Sequence, residues 1–199
     1  MNIILASQSP RRKELLERMG LSGFEIIPAQ GDEICPPGCT PAELVEELSR
    51  CKCAEVAVSR PDALVIAADT VVAVDGQILG KPHSREQAGQ MLRLLSDREH
   101  RVYTGLTVSY AGETVTEHEV TSVRFRPLSE MDISRYIATG EPMDKAGAYG
   151  VQGYGCVLVE GIFGDYYNVM GLPVCRLARL LARFGVDALA LAAEKERGT

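Results

Sequence analysis

The sequence has 199 residues, of which 46% are hydrophobic and 24% are charged, and its net charge is −6 at pH 7. A chain of this length is most simply one α/β domain, or two lobes that share a cleft. It buries roughly 70% of its unfolded surface, so it needs no disulfide or metal to fold. The acidic balance argues against a general nucleic-acid binder, although a small anionic ligand could still occupy a local basic pocket.

The amino-terminal apolar run and the cysteines indicate the cellular compartment in which the protein is expected. Only residues 3–6 are apolar before a polar pair, so no signal peptide is expected, and no stretch approaches the ~18 apolar residues of a membrane span. We therefore expect a cytoplasmic protein, not bound to a membrane, whose six cysteines are reduced thiols. A zinc site made by Cys35, Cys39, Cys51 and Cys53 is disfavoured, because the last two would point about 200° apart on a helix.

The segment "ILASQSPRRKELLERMG", residues 4–20, predicts a short strand followed by a helix. Ser9 is suited to the N-cap, Pro10 to the first helical position, and Gly20 to the end of the helix. Arg11 and Arg12 then lie in the first turn, where the helix dipole disfavours cations unless an anion binds there. The pattern favours a phosphate site; the alternative is a pair of arginines that only solvates the helix end.

The second helix is predicted by "TPAELVEELSRCKCAEVAV", in which Thr40 and Glu43 form a capping box. Lys52 falls in line with the apolar stripe of this helix, where a lysine commonly extends to the surface. Asp32 and Glu33 precede the helix as an acidic pair, which could bind a metal or form a solvated turn.

A buried strand is predicted at residues 64–74, with a two-residue turn and a return strand at 77–80. Asp69 interrupts the apolar run of this strand, and a buried carboxylate is costly unless it is paired, hydrogen-bonded or bound to metal. In an ideal hairpin Thr70 lies opposite Lys81. A structural Asp69–Lys81 ion pair and a catalytic carboxylate both remain open.

The second half predicts more helices and hairpins, and therefore a mixed sheet. A third helix follows Ser84, a hairpin joins residues 101–110 to 113–125, and a fourth helix lies between Ser129 and Gly140. A glycine-rich loop, "GEPMDKAGAYGVQGYG", leads into a strand at 156–160, a last helix at 173–185 and a tail at 186–199 that adds a turn or two and frays. The loop lacks Walker or dinucleotide spacing, but the Gln152 amide suits a nucleobase edge.

Several motifs in order, "LASQSPRRKELL", "AADTVVAVDGQILGKP", "MLRLLSDREHRVYTGL" and "GEPMDKAGAYGVQGYG…GDYYNVMGLP", resemble the Maf (septum formation) family over residues 3–184. The resemblance implies a nucleoside triphosphate pyrophosphatase with an inosine-triphosphatase-like α/β fold: a mixed twisted sheet flanked by helices, with a deep central cleft. It also implies a single Maf-like domain over residues 1–199, a cytoplasmic homodimer, and a divalent cation, Mg²⁺ or Mn²⁺.

The stretch "EPMDKAGAYGVQG" looks like the branch that hydrolyses dTTP and UTP to the monophosphate and pyrophosphate. Carried over by position, the resemblance implies that Asp69 is the proton acceptor and that Glu33 and Asp69 contact the metal. It implies polyphosphate contacts from Arg12, Lys52 and Lys81, next to an anion site lined by Ser7 and Ser9. It also implies that the base is selected by Arg11, Thr70 and Gln152. The alternatives are a 7-methyl-GTP pyrophosphatase and a nucleotide-binding regulator of cell division.

Overall fold

The fold is described from a computed structural model, which describes residues 1–31 and 38–197. The chain divides into two compact units. The first comprises Met1–Asp69, Thr104–Glu119 and Gly171–Thr199, and the second comprises Thr70–Tyr103 and Val120–Met170.

Seven strands in the described residues form one mixed sheet with the order β2-β1-β3-β5-β6-β7, and β4 pairs with β3 outside that path. The strands are β1 (Asn2–Leu5), β2 (Glu25–Ile26), β3 (Ala63–Val74), β4 (Gln77–Leu79), β5 (Glu99–Tyr110), β6 (Glu113–Phe125) and β7 (Val159–Phe163). β1 runs parallel to β2 and β3, whereas β4 is antiparallel to β3 and β7 is antiparallel to β6. The predicted α/β class with a mixed sheet is confirmed.

The helices are α1 (Pro10–Arg18), α2 (Pro41–Ser59), α3 (Arg85–Leu95), α4 (Glu130–Ala138), α5 (Tyr166–Met170), α6 (Val174–Arg183) and α7 (Ala188–Arg197). Five of the helices lie where the sequence predicts them, whereas α5 was not predicted and α7 was predicted only as a turn or two. The side chains of Ser9, Thr40, Ser84 and Ser129 each accept a hydrogen bond from a first-turn backbone N–H, and those of Thr40 and Ser129 belong to complete capping boxes. These caps satisfy N–H groups that a helix start leaves unpaired, which is why the predicted starts are confirmed.

Each unit has its own apolar cluster. In the first, Ile4, Val65 and Cys53 are among the buried residues that join β1, β3 and α2. α2 also approaches β5 very closely, because a Cβ placed on Gly105 would lie 2.0 Å from the carbonyl oxygen of Val45. In the second, a larger cluster gathers apolar residues of α3, α4 and strands β3 to β7.

Three predicted segments differ from the structure. The return strand ends at Leu79 rather than at residue 80, because the Gly80 carbonyl accepts a hydrogen bond from Gly147 N at 3.0 Å. The strand predicted at 156–160 begins only at Val159, since Tyr154–Leu158 form a 3₁₀ turn. The tail, predicted to add a turn or two and fray, forms the ten-residue helix α7. In the portion of the chain covered by the structure, no helix is both long and apolar enough to cross a membrane.

Candidate functional site

The start of α1 combines a side-chain N-cap with two arginines in the first helical turn. Ser9 caps the helix through a 3.5 Å contact from Arg12 N to its Oγ, and the N–H of Ser9 donates to Ser7 Oγ at 3.2 Å. No acidic residue lies in the first turn of α1, where Arg11 and Arg12 stand half-buried. The helix dipole and the backbone N–H groups at such a terminus favour a negatively charged ligand.

The Arg12 guanidinium is held in place from two sides. Its Nε donates to the carbonyl oxygen of Gly171 at 2.8 Å, and its Nη1 donates to Ser7 Oγ at 3.0 Å. Both partners belong to the first unit. A guanidinium fixed in this way presents a planar fork of donors, the geometry that suits phosphate oxygens. The contact with Gly171 was not predictable from local sequence, because the two positions are 159 residues apart.

Asp69 and Lys52 form the central ion pair of the first unit. Asp69 lies in β3 and is only 8% exposed, and Lys52 Nζ of α2 donates to its Oδ1 at 2.5 Å. Lys52 therefore turns inward toward the strand and does not simply extend into solvent, the common outcome for a lysine in an apolar stripe. The pair also explains how a carboxylate is tolerated in a buried strand.

The remaining predicted residues belong to the second unit. Thr70 follows Asp69 in β3 and is half-buried, while Lys81 is exposed just beyond the end of β4. Gln152 is exposed in the glycine-rich loop, directly after buried Val151. Within this loop Val151 is therefore packed in the interior, while the side chain of Gln152 is exposed.

A buried aromatic group lies within the second unit. His100 Nε2 and Tyr149 Oη are 2.8 Å apart, and the His100 ring meets those of Phe125 and Tyr149 edge-on, with centroids 5.0 and 5.3 Å away. Burial lowers the pKa of His100 to about 4 and raises that of Tyr149. Both side chains are therefore neutral at pH 7, which fits their place in the core and excludes His100 as an exposed proton shuttle.

Proteins hold Mg²⁺ through one or two carboxylates together with substrate phosphate oxygens. Asp69 supplies one such carboxylate. Across residues 1–31 and 38–197, no group of three or more His, Cys, Asp or Glu side chains is placed to hold a metal on its own. Glu33, the second predicted metal contact, lies outside the described residues. The residues present fit a cation held jointly by Asp69 and a triphosphate.

Of the four cysteines considered as zinc ligands, Cys51 and Cys53 lie too far apart around α2 to bind one ion together. Cys51 is exposed and Cys53 is fully buried on opposite faces of α2, and burial raises the pKa of Cys53 to about 12. Cys35 lies outside the described residues. A buried thiol with a raised pKa is an inert core group.

An α/β sheet protein with a cationic helix start and a buried carboxylate–lysine pair has the parts of an enzyme acting on a phosphorylated substrate. The family model "Maf-like protein" matches residues 2–184. This chain belongs to the Maf family.

Curated relatives of similar length match nearly the whole chain. The dTTP/UTP pyrophosphatase of Pelotomaculum thermopropionicum is 52% identical over 94% of this chain and 98% of its own length. The dTTP/UTP pyrophosphatase of Symbiobacterium thermophilum is 50% identical over 92% and 94%. A solved structure of a nucleoside-triphosphatase, dITP/XTP pyrophosphatase, from Mycobacterium abscessus is similar with a TM-score of 0.48 at 18% identity, covering 92% of this chain and 98% of that one.

Proposed function

We propose that this protein hydrolyses dTTP and UTP to the nucleoside monophosphate and pyrophosphate. Relatives about half identical over almost the full chain carry that activity in their names. The structural observation that carries the proposal is the buried Asp69 carboxylate held 2.5 Å from Lys52 Nζ. Pure binding does not need a general base, whereas hydrolysis needs a group that accepts a proton from water.

The phosphate contacts come from residues that can spread negative charge. In this proposal Arg12, supported by Ser7 and Gly171, binds phosphate oxygens at the start of α1. Lys52 has three N–H donors, so it can hold Asp69 and still donate to a phosphate oxygen. Lys81 adds a further cation for the leaving pyrophosphate. Positioning and charge neutralisation are the main demands of phosphoryl transfer.

Asp69 is assigned as the proton acceptor. An ionised carboxylate offers about four lone-pair positions, and the bond from Lys52 occupies one of them. The carboxylate can therefore accept a hydrogen bond from the water that attacks the α-phosphorus and take its proton as the new P–O bond forms. The α–β phosphoanhydride bond then breaks and pyrophosphate leaves.

Asp69 would hold a divalent cation, Mg²⁺ or Mn²⁺, with Glu33 as a second contact. Such a cation, when bound, supplies charge neutralisation on phosphate oxygens. Asp69 would orient this ion through its carboxylate, and the ion pair with Lys52 keeps that side chain in one position.

Base selection is assigned to Arg11, Thr70 and Gln152. The Gln152 amide and the Thr70 hydroxyl both donate and accept, which matches the O4 acceptor and the N3–H donor shared by uracil and thymine. Neither contact needs to read the 5-methyl group or the ribose 2′-hydroxyl, so the same residues serve dTTP and UTP.

The resemblance further leads us to propose a single Maf-like domain that works as a cytoplasmic homodimer. Size-exclusion chromatography with light scattering measures the oligomeric state directly. A monomer at micromolar concentration would contradict the homodimer.

A substrate panel tests the proposed function. Purified protein is incubated with dTTP, UTP, CTP, GTP, 7-methyl-GTP and ITP in the presence of Mg²⁺ or Mn²⁺, and the products are separated by anion exchange. Turnover of dTTP and UTP is expected to exceed that of the purine nucleotides. A preference for 7-methyl-GTP would indicate the other branch, and binding without turnover would indicate a regulator.

A further inference from the structure

The carboxylate of Glu141 gathers three donors in the second unit. Its Oε1 accepts from Tyr136 Oη at 2.8 Å and from Gly155 N at 3.0 Å, and its Oε2 accepts from Tyr154 N at 2.8 Å. Two of these donors are backbone N–H groups of the glycine-rich loop. Hydrogen bonds to an ionised acceptor are roughly twice as strong as bonds between neutral groups.

The same network also holds an earlier part of the loop, at Gly150. Tyr136 Oη, while it donates to Glu141, accepts from Gly150 N at 3.0 Å. Lys145 Nζ donates to the Glu141 carbonyl oxygen at 2.8 Å and ties the preceding turn to the same residue. The loop is thus fixed at residue 150 through Tyr136 and at residues 154 and 155 through Glu141.

Packing around Glu141 explains two of the loop glycines. A Cβ on Gly153 would lie 2.1 Å from Glu141 Oε2, and one on Gly155 would lie 2.7 Å from Tyr136 Oη. Side chains at these positions would collide with the network. These glycines therefore allow the loop to close on Glu141, a need separate from contact with any ligand.

Glu141 remains an acceptor at neutral pH. Burial acts to raise its pKa, but the hydrogen bonds from Gly155, Tyr154 and Tyr136 outweigh burial, and the net shift is downward. The ionised carboxylate accepts from all three donors and carries no proton of its own, whereas a protonated carboxyl would place an O–H donor among them.

Gln152 stands between the two anchor points. It is two residues after Gly150 and two before Tyr154, and its side chain is exposed while the anchors on both sides are held. We propose that Glu141 is a positioning residue that fixes the loop and thereby sets the pyrimidine selectivity exercised by Gln152. This inference rests on the proposed function, because it assumes that Gln152 reads the base.

Glu141→Gln tests the anchoring of the loop with the smallest change in side-chain shape. The amide oxygen can still accept from Tyr136 and Gly155, but the amide nitrogen would face the N–H of Tyr154, donor against donor. The loop then loses its anchor at residue 154. We expect KM for dTTP and UTP to rise about fivefold, the value of one lost hydrogen bond, with kcat retained.

The matched control is Glu130→Gln. Glu130 is an exposed carboxylate of the same unit, and its ion pair with Arg93, at 2.7 Å, lies on the α3 and α4 surface. This variant removes the same charge and should leave KM unchanged. Tyr136→Phe is the second test variant, because it removes both the bond to Glu141 and the bond to Gly150 N without changing charge. It should shift KM in the same direction as Glu141→Gln, and it keeps the test available if that variant fails to fold.

The Gln152→Ala background separates positioning from general stability. If Glu141 acts through Gln152, Glu141→Gln should cause no further loss of the dTTP-over-GTP ratio of kcat/KM in that background. The inference would be overturned if Glu141→Gln lowered kcat/KM equally for every substrate. It would also be overturned if this substitution lowered the dTTP-over-GTP ratio as much in the Gln152→Ala background as in the wild-type protein. If the wild-type protein does not hydrolyse dTTP and UTP, both the proposed function and the role of Glu141 in selectivity are wrong. If the wild-type protein hydrolyses them and Glu141→Gln behaves in the same way, only the role of Glu141 is wrong.

Discussion

Acidification should destabilise this protein through His100. Burial lowers the pKa of His100 to about 4 in the folded chain, from 6.5 for the free side chain. In the described structure its Nδ1 has no hydrogen-bond partner, so a proton added to the ring has no acceptor beyond Tyr149. Between pH 6.5 and pH 4 the unfolded chain binds this proton and the folded chain does not, so stability falls as the pH falls.

The size of this loss follows from the two pKa values. A difference of about 2.5 pH units, at about 1.4 kcal/mol for each unit, gives a contribution of about 3 kcal/mol that is present above pH 6.5 and lost by pH 4. Urea denaturation at a series of pH values measures the free energy of unfolding. The same series is measured with His100→Gln, whose amide does not titrate. The difference between the two series removes the contribution of the carboxylates that both proteins share.

Wild-type protein should lose about 3 kcal/mol more than His100→Gln between pH 7 and pH 4. An NMR titration of the His100 ring in the wild-type protein gives the folded pKa without any variant. Parallel stability curves for the two proteins, or a His100 ring that titrates near pH 6.5, would refute the reasoning.

Three further substitutions test individual contacts. Asp69→Asn should lower kcat by about 10²- to 10⁴-fold while the circular dichroism spectrum stays unchanged, and wild-type turnover would contradict its assignment as proton acceptor. Arg12→Lys keeps the charge but loses the planar fork, so KM for dTTP should rise about tenfold; an unchanged KM would argue against phosphate binding at the start of α1. Gly105→Ala places a Cβ 2.0 Å from the Val45 carbonyl oxygen and should cost about 3 kcal/mol or more in urea denaturation. Gly161→Ala, whose added Cβ would meet nothing closer than 3.5 Å, is the matched control and should cost less than half as much.

Local signals in the sequence were enough to place most helix starts and turns. Ser9 and Thr40 cap their helices as predicted, because capping depends on a side chain and a backbone N–H only three residues apart. The turn at Asp75 and Gly76 was predictable for the same reason: both residues have positive φ, at 50° and 78°, which this dipeptide tolerates.

Contacts between distant segments were not predictable in this way. Nothing local in α2 indicates that Lys52 bonds Asp69 rather than solvent, since that choice depends on how α2 packs against β3. The strand predicted at 156–160 starts only at Val159, because Glu141 binds the N–H groups of Tyr154 and Gly155 at the beginning of a 3₁₀ turn that continues to Leu158. The two-residue strand β2 has too few residues to show a periodic pattern.

An isotope-labelling experiment shows which phosphoanhydride bond of dTTP is cleaved. dTTP is incubated with the protein in water enriched in the heavy oxygen isotope, and the products are analysed by mass spectrometry. Attack on the α-phosphorus predicts thymidine monophosphate that carries the label and pyrophosphate that does not. Labelled pyrophosphate, or thymidine diphosphate with inorganic phosphate, would contradict the assigned reaction.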